Sequence, residues 1–349
     1  MVVNVDSFPG RELMIAGIPH LYFGGTAYLG LQQHPEFQEL FIENIKKYGT
    51  NYSASRISNV RLPVFETAEA HLAKTVQSEA CMTFSSGYLA GQFISKFLQD
   101  KHHKFFYTPN THSAVHQKRP KTYVTYSSLL FALESHLSAS KLVTPVIFLD
   151  AIDFSGANYP DFQGLKNLPL NKCVLVVDDS HGIGVVGKNG QGVYSTLKKL
   201  NPKKLFVCCS LGKGLGIQAG AIFGDKSDIS SMMDTPFFGG ASPASPACMN
   251  TYLQAQHIYK DRRKVLEKNI QMFLKGIHHL EKFRFMPNHA VFSFHNPELV
   301  KFLKKHHFII TDFNYPNESS KALSRIVISA AHQSEDIKKL VAILNAFHS

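Results

Sequence analysis

The chain has 349 residues, 44% apolar and 18% charged, with a formal net charge of +11 when histidine is counted as neutral. That length exceeds one comfortable core and points to a large domain plus a smaller one in a globular protein. No apolar stretch approaches the roughly 18 residues of a membrane span, and an N-terminal segment carrying Asp6, Arg11 and Glu12 does not read as a signal peptide. The basic excess raises nucleic-acid binding, but the lysines are scattered and no basic run is interleaved with aromatics. Lys260-Asp-Arg-Arg-Lys264 falls in a helical pattern and reads as a solvated face, so no nucleic-acid or membrane partner is expected. The five cysteines (Cys81, Cys173, Cys208, Cys209, Cys248) are odd in number and lack metal-ligand spacing. They read as small hydrophobes in a reducing cytoplasm. Histidine doublets at 102–103, 278–279 and 306–307 diverge in direction on any regular element and make poor metal sites, so no metal is expected.

In chain order, residues 1–30 read as an arm with a hairpin-like pair at 12–18 and 20–23. An amphipathic helix over 35–47 starts at Pro35, near its first turn. The stretch 49–63, rich in Ser, Asn and Gly, reads as a loop, and apolar spacing predicts a helix over 64–75. A strand at 80–84 then runs into Ser85-Ser-Gly-Tyr88 and a helix to about 98. Such a strand–turn–helix junction presents unpaired N–H groups and the positive end of the helix dipole, a seat for phosphate. Candidate strands follow at 104–107, 122–126, 143–149, 173–177, 205–209 and 219–223, mostly separated by helical or loop segments. That alternation predicts an α/β architecture with a mostly parallel sheet flanked by helices. A long helical stretch over 247–283 leads to a smaller C-terminal α+β portion. Its strands are expected at 291–294, 308–311 and 325–328, and a closing helix at 334–346 is capped by Ser334. The expected division is an arm at 1–39, a large domain at 40–250 and a small domain at 251–349.

Two stretches carry the chemistry. Cys173-Val-Leu-Val-Val177 ends in Asp178-Asp-Ser-His181, an apolar parallel strand with carboxylates and an imidazole at its carboxyl end, where ligands bind in open α/β sheets. The strand-like run 204–209 feeds Ser210-Leu-Gly-Lys213-Gly-Leu-Gly216. A lysine between glycines at the end of a buried strand is an unusual place for a hydrated ammonium. Desolvation disfavours its charged form and makes it a candidate Schiff-base nucleophile. A carboxylate at one strand end and this lysine at another are the two groups that pyridoxal 5'-phosphate (PLP) needs, one for its pyridinium nitrogen and one for its aldehyde. Gly182-Ile-Gly184-Val-Val-Gly187 spells the dinucleotide fingerprint G-x-G-x-x-G, but that reading wants an acidic residue about twenty positions on. None occurs between Asp179 and Asp225.

These two stretches resemble the α-oxoamine synthases, PLP enzymes of fold type I that include amino-oxononanoate synthase and amino-ketobutyrate CoA ligase. Tyr28-Leu-Gly-Leu31, Phe84-Ser-Ser-Gly87-Tyr88 and Arg325-Ile-Val-Ile-Ser-Ala-Ala-His332 are similar to further family segments, in the family's order and over most of the chain. The resemblance implies a cytoplasmic homodimer with shared active sites that joins an amino acid to an acyl thioester. Some basic residues would then hold the phosphates of a coenzyme A substrate. It assigns Lys213 to the cofactor aldehyde, Asp178 to the ring nitrogen and His181 to the phenolic oxygen. It further assigns Ser86, Gly87, Tyr88 and Ser210 to the phosphate turn, His112 to the ring face, Ser242 to a neighbour's phosphate and Arg325 to the substrate carboxylate. Asp179, pointing to the opposite side of its strand, is expected to serve structure. Two departures lie on the substrate side. Asp150 stands where the family has glutamate, with no Ser-Met-Asp-Gly after it, and Ser53-Ala-Ser-Arg56-Ile-Ser58 replaces Gly-Ser-Gly-His-Val-Ser. They leave open an aminotransferase or lyase on the same scaffold, or an inactive partner subunit.

Overall fold

The computed structural model describes residues 3–347 except 101, 110, 117–121, 140–141, 155 and 315–321. Ser155, in the Asp150 departure from the family pattern, and Asn110, which opens the His112 segment, therefore lie outside the described residues. The chain divides into two units. One comprises Met1–Gln38, Phe154–Gly156 and His257–Ser349, the other Glu39–Asp153 and Ala157–Gln256. The described strands are β1 Glu12–Ile15, β2 Ile18–Phe23, β3 Ala80–Phe84, β4 His103–Tyr107, β5 Thr144–Asp150, β6 Val174–Asp178, β7 Lys204–Ser210, β8 Gly220–Gly224, β9 Arg284–Phe285, β10 Val291–Phe294, β11 Phe308–Asn314 and β12 Ala322–Val327.

The larger unit is built on a sheet of order β3-β8-β7-β6-β5-β4. β4 to β7 pair in parallel, and β8 runs against both its neighbours. Every residue of β6 is buried, as a continuous apolar run requires when both sheet faces are covered. Phe84, Phe93, Phe148, Val176, Phe206 and Ile222 meet in the core against the helix Gly87–Phe97. The register sets Asp150 beside Asp178 and Asp178 beside Cys208, so the carboxyl ends of the central strands lie level. The expected strand at 122–126 does not form. Thr122 makes a single parallel bridge to Tyr107, and the helix Tyr126–Ala139 starts where Thr125 and Ser128 exchange side-chain-to-backbone bonds.

In the smaller unit the sheet order is β1-β2-β11-β12-β10-β9, with β2 parallel to β11 and the remaining pairs antiparallel. Residues of the expected arm thus supply two strands to the sheet of 284–327. The β1–β2 turn places Ala16 and Gly17 at positive φ, 50° and 79°. The stretch 247–283 is two helices, Pro246–Gln254 and Gln256–Gly276, followed by a short 3-10 turn and β9. Arg262 is not on a solvated face: it donates to the carbonyls of Leu29 and Ala330. The closing helix Ser334–Asn345 is capped by Gln333, not Ser334, because Gln333 and Asp336 each satisfy the other's backbone N–H. All five cysteines are buried and unpaired by disulfides. Among the described residues no helix is long and apolar enough to cross a membrane.

Candidate active site

At the carboxyl end of β6, Asp178 is 9% exposed and its Oδ1 accepts the Ser180 N–H at 2.9 Å, which orients the carboxylate. Ser180 Oγ in turn accepts the Ser210 N–H at 2.8 Å, tying the end of β7 to the turn after β6. Sequence reasoning passed over Ser180; its place between Asp178-Asp179 and His181 was the only signal. Next along, His181 Nε2 lies 2.7 Å from Lys213 Nζ, with both side chains half-buried. An ammonium donates into that nitrogen, and the imidazole becomes the lysine's proton acceptor.

The glycines of the false dinucleotide fingerprint have a local use. Gly184, at φ +82°, lies so near the lysine turn that a Cβ would sit 2.9 Å from the Gly214 carbonyl carbon. A Cβ on Gly214 would meet the Ile183 carbonyl oxygen at 2.2 Å. Backbone packs on backbone here, and side chains at either glycine would push Lys213 away from His181. Gly182 and Gly192 crowd the oxygens of Asp179, where a Cβ would come within 2.0 and 2.1 Å. Asp179 itself is 1% exposed, and its Oδ2 accepts the Val193 N–H at 3.0 Å. It therefore holds the glycine loop.

A second close approach forms at the Ser86 turn. Ser86 caps the helix Gly87–Phe97, its Oγ accepting the Leu89 N–H at 3.1 Å. A Cβ on Gly87 would lie 2.6 Å from Ser210, and one on Gly220 would lie 2.1 Å from the Ser86 carbonyl. Bare backbone at both glycines lets the helix N-terminus pack directly against Ser210, whose Oγ accepts the Gly212 N–H at 3.3 Å. Tyr88 points outward, 59% exposed. Ser242 is exposed, and its carbonyl accepts the Ser85 N–H at 3.1 Å within the same chain.

His112 sits in the loop after β4. Its Nδ1 accepts the Ala114 N–H at 3.0 Å, so in the neutral ring the proton is on Nε2. Burial pushes this imidazole below its ordinary pKa; Asp178 pulls it up and Lys213 pushes it down, which places all three in one electrostatic neighbourhood. Arg325 belongs to the smaller unit and lies in an interior strand, β12, not at a sheet edge. Its guanidinium is 3.8 Å from the centroid of the Phe154 ring. Of the substrate-side departures, Arg56 turns inward. It clamps Glu69 through two bonds of 2.8 and 2.9 Å and lies 4.2 Å from the Phe65 ring centroid, so it holds the 49–63 loop to the fold.

A family model described as aminotransferase class I and II matches residues 156–344. The 8-amino-7-oxononanoate synthase of Buchnera aphidicola subsp. Baizongia pistaciae is 25% identical over 358 residues, covering 97% of this chain and 92% of that protein. Among solved structures, a lysine-to-alanine variant of serine palmitoyltransferase from S. paucimobilis, with a bound PLP–myriocin aldimine, superposes at a TM-score of 0.83 and 17% identity, covering 99% of this chain and 92% of that one. The 8-amino-7-oxononanoate synthase of Francisella tularensis gives 0.70 and 19%, covering 93% and 97%. At those identities the structural likeness carries the fold, an α/β fold of the PLP-dependent aminotransferase type.

Proposed function

The chain belongs to the aminotransferase class I and II family, and from that premise we propose that it is a PLP-dependent acyltransferase joining an amino acid to an acyl thioester. The observation that carries this reading is the contact of Lys213 with His181, 2.7 Å, in the loop beside the strand that ends in Asp178. PLP requires an amine for its aldehyde carbon, a carboxylate for its ring nitrogen and a seat for its phosphate. Lys213 is the amine. Asp178 is the carboxylate, already oriented by the Ser180 N–H. Ser86, Gly87 and Ser210 frame the seat, where two glycines keep side chains out. The donor set fits.

When bound, PLP supplies a pyridinium ring that withdraws electrons from the α-carbon of the amino acid. Asp178 would keep the ring nitrogen protonated, because a carboxylate favours a cationic neighbour. His112 would cover one face of the ring and His181 would donate to the phenolic oxygen. Lys213 Nζ would take the proton from the α-carbon, with His181 Nε2 beside it to steady the amine. Arg325 would grip the amino-acid carboxylate with its planar fork. Some of the chain's many lysines and arginines would meet the phosphates of a coenzyme A donor. We also propose that two copies pair, with Ser242 of one reaching the phosphate seat of the other and Tyr88 lying nearby. A reducing cytoplasm is the proposed location.

The test is a matrix of single amino acids and acyl-CoA thioesters with the purified protein loaded with PLP. The expected outcome is release of free coenzyme A thiol that needs both substrates, and its loss in Lys213→Ala. Formation of a 2-oxo acid with the thioester untouched would favour the aminotransferase reading instead. After borohydride reduction, mass spectrometry should place the cofactor on Lys213.

A further inference from the structure

Asp150 is a site neighbour whose task the reading above does not use. It ends β5, directly opposite Asp178 on β6. Its Oδ1 accepts the backbone N–H of His112 at 3.0 Å, across 38 residues of sequence. Its own carbonyl accepts from Asn158 Nδ2 at 2.6 Å, and Asn158 Oδ1 accepts the hydroxyl of Tyr126. The loop that carries His112 is fastened to the same strand two residues earlier: Thr108 N–H donates to the Phe148 carbonyl at 3.0 Å, and Thr111 Oγ1 lies 3.3 Å from that carbonyl and 2.8 Å from the carbonyl of Thr108. Asp150 is thus the last of a series of ties that lead from β5 to the imidazole. Beyond His112 the ring is held by Ala114, so little freedom remains between the Asp150 carboxyl and the direction in which His112 Nε2 points.

We propose that Asp150 is the positioning residue for His112: its side-chain oxygen holds the His112 amide and so sets where the imidazole lies beside Asp178 and Lys213. The operative feature is an oxygen acceptor, not a negative charge. Burial pushes the Asp150 carboxyl well above the usual carboxylate range, and Asp178 and Asp153 push it further; the His112 N–H and Lys213 pull the other way. A protonated carboxyl still accepts an N–H through its carbonyl oxygen.

This inference rests on Lys213 and Asp178 forming a PLP site, and the test separates the two. Asp150→Asn and Asp150→Leu match aspartate in size, but only asparagine keeps an oxygen acceptor. Two quantities are measured: the ring-nitrogen NMR shifts of His112 in the cofactor-free protein, assigned with His112→Gln, and the dissociation constant for PLP. Asp150→Asn should preserve the His112 shifts and hold PLP within roughly threefold of the parent, whereas Asp150→Leu should alter the shifts and weaken PLP about tenfold or more. Unchanged shifts and affinity in Asp150→Leu would overturn the proposal. So would an Asp150→Asn protein as impaired as Asp150→Leu, since charge would then be the operative feature. Should Asp150→Leu fail to fold, Asp150→Glu replaces it: the extra methylene should displace the His112 signals, and unchanged signals count against the proposal. A parent protein that binds no PLP sinks the proposed function, while the His112 shifts still decide the positioning role.

Discussion

Asp178, with its Oδ1 held by Ser180, and Asp179, whose Oδ1 has no hydrogen-bond partner among the described residues, are adjacent in sequence and differently employed. Burial pushes the Asp179 carboxyl well up, against the pull of the Val193 N–H. His332 shows the same logic with the opposite charge. It is 4% exposed, stacked at 3.9 Å on Phe23, and its Nδ1 accepts the Ser329 N–H while Nε2 donates to the Tyr22 carbonyl. Burial lowers its pKa from 6.5 to about 4, with the Tyr22 carbonyl and Asp336 opposing. The folded form therefore prefers the neutral ring. The stabilisation is complete above the ordinary histidine pKa and is lost as pH falls through the window from 6.5 to about 4. It amounts to about 3 kcal/mol over that window. His332→Gln should remove most of this slope, and urea midpoints at neutral, mildly acidic and strongly acidic pH would measure it. An unaltered slope would mean that other buried groups carry the acid sensitivity.

Among the elements, the β1–β2 turn holds alanine where hairpins of this type prefer asparagine. A residue other than Gly, Asn or Asp in the left-handed region stores strain, and Ala16 is exposed, so nothing else depends on it. Ala16→Asn should stabilise the protein by about 1 kcal/mol, read as a shift in denaturation midpoint. A loss of stability would show that the turn tolerates alanine without strain. The same scale shows what the sequence could disclose. β3 was legible residue for residue, and β6 to within one, because a buried strand is a continuous apolar run with polar ends. The Thr122 segment misled because β-branched and aromatic residues precede a helix whose start is set by Thr125 and Ser128. The Gln333 cap was hidden because a capping box depends on a reciprocal pair, not on one residue type. Lys213, His181 and Asp178 stood out because such groups are rare at the ends of apolar strands. The bond from Asp150 to His112 was not legible, because the register of β4 on β5 creates it.

At the scale of the whole chain, the smaller unit is assembled from sequence extremes. Arg11 grips Asp336 through Nε and Nη2 at 2.6 and 2.7 Å, and Asp336 is fully buried at the start of the last helix. Burial works to raise the Asp336 carboxyl, but the Arg11 bonds and the Gln333 N–H outweigh it and hold it below the usual range. Arg11→Ala would leave that carboxylate buried with only the Gln333 amide. A loss of about 2–3 kcal/mol at neutral pH is expected, measured by denaturant unfolding. A variant as stable as the parent would show that water replaces the guanidinium without cost.

The parallel pairing of β2 with β11 also sets a timetable for the ribosome. Leu21 finds its partner Phe308 only after roughly 290 further residues have been made, which at about 5–20 residues per second is about 15–60 seconds. Throughout that interval the first hairpin is a nascent segment with an open edge, the kind of edge that pairs with a wrong neighbour. Chaperones that mask strand edges should therefore crosslink to residues 12–23 on translating chains and let go only once residues 308–310 have left the ribosome. A hairpin made early is thus completed only when a strand made long afterwards arrives.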